Sequence, residues 1–163
     1  MSLRFRWIIK NRLAGMELPG KEHPEVEDFM FLKKQGIGTI VSLTETVPAY
    51  TSFLRHKFEW LHFPIDDFKA PDIEAAAMLV ADIDARLESG RPVLVHCLFG
   101  IGRTGTMLAA YIIYKYREPA SGVIPWIRRI HPEYIQSEQQ EQFLGDFSAV
   151  ILSRPAPKSP EGW

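Results

Sequence analysis

Cysteine is almost missing from this chain, which has one, at position 97, among 163 residues. That excludes an internal disulfide framework, and a lone reactive thiol survives best in a reducing compartment, with the cytoplasm as the default expectation. An excess of charge of one sign is missing as well. The 19 Lys and Arg residues stand against 20 Asp and Glu, so the chain carries no global basic footprint for nucleic acid or for a membrane surface, and any attraction to an anion must be local. Long hydrophobic runs are also lacking, since no stretch approaches the ~20 apolar residues of a membrane span. The basic Arg4, Arg6 and Lys10 alternate with Phe5, Trp7, Ile8 and Ile9 instead of preceding an apolar segment, so no secretory leader is expected. The final Glu161-Gly162-Trp163 predicts no prenyl anchor. What is present, 46% hydrophobic and 24% charged residues, suits one domain large enough to bury its own core.

The single cysteine lies in the most informative stretch, Val93 to Thr106. A β-rich run, Val93-Leu94-Val95, leads through His96 into Cys97, glycines follow at 100, 102 and 105, and the apolar Met107 to Tyr116 predicts a buried helix. Cys97 therefore belongs at a strand-to-helix turn. Loop amides and the first turn of a helix present unpaired N–H groups, and with the helix dipole they attract an anion. Two anions suit that cradle: a thiolate on Cys97, and a phosphate held by the amides of Leu98, Phe99, Gly100, Ile101, Gly102 and Arg103. Arg103 can add a planar, bidentate fork that lysine lacks.

His96, Gly100, Arg103, Thr104 and Gly105 each stand at a fixed offset from Cys97. This pattern resembles the signature loop of the cysteine-based protein phosphatases, the protein tyrosine and dual-specificity superfamily. Together with Arg12 to Gly15, Val41 to Glu45, Ile65 to Phe68 and Ile127-Arg128-Arg129, it is similar to the small single-domain atypical dual-specificity enzymes of archaeal and VHZ type. The implied fold is α/β, a central, mostly parallel sheet with helices on both faces and the signature loop at the carboxyl edge of a middle strand. The implied domain covers residues 1–152, and the Pro- and Lys-containing stretch 153–163 is expected to be disordered.

Taken in order, the chain predicts a strand from Phe5 to Ile9, a turn-rich entry through Asn11 to Gly15 and Pro19-Gly20, and a helix starting at Pro24 and ending near Gly36. A buried strand from Gly38 to Leu43 follows. Its exit carries Glu45, which either pairs with Arg103, contacts substrate or is simply solvated, and Tyr50, a candidate wall of the cleft. A helical turn is expected over Thr51 to His56 and a strand from Phe58 to Phe63. Asp72 should cap a helix from Ile73 to Ser89, and further helices are expected over Thr106 to Arg117, from Pro119 or Ser121 to Ile130, and beyond Ser137, where Ser137 and Gln140 form a capping box.

Between Pro64 and Pro71 lie Asp66 and Asp67. A leaving alkoxide or phenoxide must be protonated as it departs, and a positioned acid contributes about 10²- to 10⁴-fold. The resemblance places Asp67 on the acid, because small relatives read Ile-x-Asp-Phe here; Asp66 stands where proline is frequent, so a swapped or shared role remains open. By the same resemblance His96 holds the loop, Thr104 hydrogen-bonds the departing thiolate, and Gln136 and Gln140 match a glutamine pair that orients the hydrolytic water. The implied activity is hydrolysis of phosphotyrosine, with phosphoserine and phosphothreonine as further substrates, through a phosphocysteine. It requires no metal or organic cofactor, and the expected partners are phosphorylated proteins or peptides acted on by a monomer, with no nucleic acid and no membrane. Two alternatives are a lipid or RNA 5′-phosphatase, which the apolar Leu98, Phe99 and Ile101 disfavour, and a non-catalytic phosphopeptide-binding module, which would normally have lost the cysteine, the arginine or the acid.

Overall fold

In a computed structural model that describes residues 5–47 and 57–157, five strands form one sheet in the order β1-β2-β5-β3-β4. These are β1 (Arg6–Ile9), β2 (Leu13–Met16), β3 (Thr39–Ser42), β4 (Glu59–His62) and β5 (Val93–His96). β1 runs antiparallel to β2, and every other pairing is parallel. The register aligns Met16, His96, Ser42 and His62 across the four parallel strands, so the residues that follow them leave the sheet along one carboxyl edge.

Successive side chains of a strand point to opposite faces, and the sheet separates its helices accordingly. Ala14, Met16, Ile40 and Leu94 pack on one face with Phe29 and Leu32 of α1 (Glu25–Lys34). Leu13, Val41, Val93 and Val95 pack on the other, beneath α2 (Ile73–Glu88), α3 (Gly102–Tyr116), α4 (Ala120–Ile130) and α5 (Glu138–Leu152). α3 is the centre of that layer: every residue from Gly102 to Ile113 is buried, and the helix packs against α2, α4 and α5. Asp72 caps α2 by accepting from the Ala75 N–H at 3.0 Å, as expected of its side chain.

Two expectations need correction. Leu13 to Gly15 form no turn, because Leu13–Met16 is a buried strand; the turn is confined to the residues before it, where Asn11 adopts φ 60°. Gly15 serves close packing: a Cβ there would lie 2.9 Å from Leu108 Cδ1 and from Thr104 Cγ2. The apolar helix likewise begins at Gly102 instead of Thr106. Gly102 and Gly105 are helical positions pressed against the segment before α5, where a Cβ would meet Gln136 Oε1 at 2.5 Å and Tyr134 Cβ at 2.7 Å. In both places a glycine that reads as flexibility is a point of contact.

Tyr50 and the helical turn expected over Thr51 to His56 lie outside the described residues. Past α5, Arg154 pairs with Glu74 and its carbonyl accepts from Arg117; residues 158–163 are again outside the described part. Among the described residues no helix is long and apolar enough to cross a membrane.

Candidate active site

Cys97 follows β5 directly and is 3% exposed. The Gly100 N–H donates to its sulfur at 3.3 Å, which requires the chain to double back within three residues. Gly100 does so at φ 74°, and a Cβ there would fall 2.4 Å from the Met16 carbonyl carbon and 2.5 Å from Glu17 N. No other residue fits that position, because the obstacles are backbone atoms at the end of β2. The loop is further anchored where Leu18 N–H donates to Leu98 O at 3.1 Å. At its far end α3 begins with no side-chain cap and no acidic residue in its first turn, which leaves an uncapped positive helix end beside the sulfur.

Arg103 sits in that first turn and is also 3% exposed. Its Nη1 donates to Ile65 O at 2.8 Å and to the Glu45 carboxylate, and its Nη2 lies 3.5 Å from Asp67 Oδ1. Its Nε has no hydrogen-bond partner among the described residues, and the same holds for the buried Thr104 hydroxyl. Glu45 pairs with Arg103 while its side chain stays 52% exposed. Of the two carboxylates after Ile65, only Asp67 approaches the arginine; the Asp66 side chain is exposed and makes no ion pair among the described residues.

His96 is fully buried behind the cysteine. Its Nδ1 lies 3.0 Å from Cys97 O and its Nε2 lies 2.6 Å from Ser42 Oγ. Trp60 Nε1–H donates to the same Ser42 oxygen at 3.1 Å. For a neutral ring the proton positions follow from donor inventory. A carbonyl only accepts, so Nδ1 carries the proton; Nε2 then accepts from the Ser42 hydroxyl, whose oxygen accepts from the indole. Burial, aided by the positive charges of Arg103 and His62 and opposed by the hydrogen bond to Cys97 O, lowers the His96 pKa to about 4. The imidazole is thus neutral near pH 7 and holds the Cys97 carbonyl by direction and not by charge. Neither Ser42 nor Trp60 belongs to a motif that marks it in the sequence. The available signal is the polar Ser42 inside the buried run Ile40-Val41-Ser42-Leu43, because a buried hydroxyl requires a partner.

The two glutamines separate. Gln136 lies across Gly102 at the signature loop, whereas Gln140 is fully buried, accepting through Oε1 from the N–H groups of Gln136 at 2.8 Å and Ser137 at 3.2 Å. Its Nε2 donates to Lys69 O at 3.3 Å, and Ser137 Oγ donates to Phe68 O at 2.7 Å. Among the described residues no group of three or more His, Cys, Asp and Glu is arranged to hold a metal ion.

A buried thiol at the carboxyl edge of the parallel strands receives the Gly100 N–H and is flanked by a buried arginine and a loop carboxylate, an arrangement suited to hold an anion. The solved structures similar to this fold include Tk-PTP in its active form, with TM-score 0.81 and 24% identity over 91% of this chain and 99% of that one. Kinase associated phosphatase bearing serine for its catalytic cysteine matches with TM-score 0.83 and 22% identity over 95% of this chain and 99% of that one. In sequence, human dual specificity protein phosphatase CDC14C is 29% identical over 147 residues, 85% of this chain and 32% of that protein. An uncharacterized protein of Methanocaldococcus jannaschii is 33% identical over 92 residues, 56% of this chain and 60% of its own. The chain spans about a third or less of the CDC14 relatives it matches. The family model described as "Polymorphic toxin system, DSP-PTPase phosphatase" matches residues 14–117. The chain belongs to this family of DSP-PTPase phosphatases, whose reaction class is hydrolysis.

Proposed function

We propose that the chain hydrolyses phosphomonoesters on proteins, phosphotyrosine foremost and phosphoserine and phosphothreonine as well, through a phosphocysteine intermediate. The observation that carries this reading is the Cys97 sulfur receiving the Gly100 N–H at the uncapped start of α3, beside the buried Arg103. In the first step the Cys97 thiolate attacks phosphorus, an S–P bond forms, the P–O bond to the leaving group breaks, and Asp67 gives its proton to the departing oxygen. In the second step a water oriented by Gln136 attacks phosphorus, Asp67 takes its proton, the S–P bond breaks and inorganic phosphate leaves. The amides of the loop and the Arg103 guanidinium stabilise the equatorial oxygens in both. The Thr104 hydroxyl, unpartnered among the described residues, donates to the thiolate as it departs.

In this reading His96 has a supporting part, orienting the Cys97 carbonyl while staying neutral. The apolar Leu98, Phe99 and Ile101 offer no charge for a second phosphate, which favours a single phosphoryl group on a protein over a polyphosphorylated lipid. A lone cysteine nucleophile suits work in the reducing cytoplasm, and the chain acts there as a monomer. The test is release of phosphate from an aryl phosphate in the presence of a chelator. Turnover that disappears in Cys97→Ser supports the reading, and tight binding of phosphopeptide without any turnover would replace it by a binding module. Parallel rates on phosphotyrosine and phosphothreonine peptides then define the substrate range.

A further inference from the structure

The loop that carries Asp67 is exposed and has little burial to hold it: Asp66, Asp67, Phe68 and Lys69 all face solvent, and Phe68 is 54% exposed. Yet Phe68 occupies the left-handed region at φ 62°, a conformation a bulky residue keeps only where its surroundings impose it. Its N–H donates to Asp67 Oδ1 at 3.0 Å, so the strained residue is also the one that orients the carboxylate. The constraint has two parts: the Lys69 N–H closes a turn on Asp66 O at 2.9 Å, with Phe68 at its third position, and α5 holds that turn in place. Ser137 Oγ–H donates to Phe68 O at 2.7 Å and Gln140 Nε2 donates to Lys69 O at 3.3 Å, tying two consecutive carbonyls to one helix start.

Resting on the reading of Asp67 as the acid, we infer that Ser137 and Gln140 are positioning residues for Asp67, and that the N-terminal cap of α5 holds the acid loop in its working conformation. A hydroxyl has one proton and two lone pairs, so Ser137 can accept from Gln140 N–H at 3.1 Å while giving its proton to Phe68 O. Gln140 is engaged at both ends, its oxygen by two backbone N–H groups and one of its two amide protons by Lys69 O. Being fully buried, it presents nothing to a water at phosphorus. The glutamine pair therefore divides its work: Gln136 lies against Gly102 of the signature loop, and Gln140 braces both the Gln136 backbone and the acid loop.

The experiment separates capping from positioning. Ser137→Asp retains an oxygen that caps α5, since aspartate is as good a cap as serine, but it has no proton for Phe68 O. Ser137→Thr keeps both bonds. With phenyl phosphate, whose leaving group needs a proton, kcat of Ser137→Asp should drop by on the order of 10-fold or more. With an aryl phosphate whose phenol is already acidic it should change little. The alkaline limb of kcat/KM should weaken, the Phe68 and Lys69 amides should exchange faster with solvent, and Ser137→Thr should behave as wild type. Gln140→Glu, which keeps the acceptor and loses the donor to Lys69 O, should move the same readouts in the same direction and serves if Ser137→Asp does not fold. Folded Ser137→Asp and Gln140→Glu with wild-type leaving-group dependence, or with equal losses on both esters, overturn the inference. Asp67→Asn is measured alongside: if it lacks the leaving-group dependence, the acid assignment fails and the inference fails with it, whereas dependence in Asp67→Asn alone removes only the role of the cap.

Discussion

Arg103 Nη1 donates to the carbonyl oxygen of Ile65 at 2.8 Å, so the guanidinium at the start of α3 is bonded to the backbone of the loop that carries Asp67. The arginine and the Asp67 loop are one mechanical unit. The contact is buried on the arginine side, where a charge-assisted hydrogen bond is shielded from competing water. The Glu45 pairing on the same nitrogen involves a carboxylate 52% exposed and contributes little by comparison.

Arg103→Lys should therefore damage two functions at once. A lysine keeps the charge and loses the planar fork, so kcat should fall by on the order of 10² or more, with weaker inhibition by oxyanions. The freed Ile65 carbonyl should also steepen the dependence of rate on leaving-group pKa. Steady-state kinetics over a series of aryl phosphates measures both, and near wild-type turnover would remove Arg103 from the mechanism.

The approach of Asp67, and not Asp66, to Arg103 predicts an asymmetry between neighbouring carboxylates. Asp67→Asn should lose roughly 10²- to 10⁴-fold on phenyl phosphate or phosphotyrosine and far less on esters of acidic phenols, with a flattened alkaline limb. Asp66→Asn should keep the wild-type profile. The assignment is wrong if the two variants exchange these behaviours.

Gly100→Ala should be among the most damaging small substitutions in the chain. The new methyl meets backbone of Met16 and Glu17, which cannot move aside as a flexible side chain would, and φ 74° adds strain. A loss of about 1–3 kcal/mol in stability is expected, together with a fall in kcat as the Gly100 N–H leaves the sulfur. Gly145→Ala, in the interior of α5 with nothing within 4 Å of the added carbon, should instead gain about 0.5–1 kcal/mol. Denaturant titration of the two variants gives the comparison.

His96 should impose a pH dependence on stability. Its pKa is about 4 in the folded chain against an ordinary 6.5, so between those values the unfolded chain binds the proton that the folded chain refuses. Stability is complete above about pH 6.5 and declines as the pH falls toward 4, by about 3 kcal/mol in all. His96→Asn retains an amide donor and cannot titrate, so the difference between its urea-unfolding free energies and those of wild type should shrink across this window. Parallel curves from pH 7 to 4 would show that His96 is not the titrating group.

The strand-to-helix loop that brings Cys97, Gly100 and Arg103 together was determined by sequence alone, for a physical reason. Cys97 to Arg103 is a short covalent span between a strand and a helix, and so few residues with Gly100 at the bend can close in hardly any other way. The capping residues Asp72 and Ser137 were legible on the same local grounds. Tertiary structure decided everything that depends on register or on contact between distant segments. Leu13–Met16 is too short and too uniformly buried to alternate, so it becomes recognisable as a strand only once it pairs with β5. The chain Trp60–Ser42–His96 exists because parallel pairing sets Ser42 beside His96 and β4 beside β3. The choice of Asp67 over Asp66, and the fastening of its loop to α5 sixty-nine residues away, follow from where Arg103 and Ser137 come to rest, and sequence spacing carries no record of those distances.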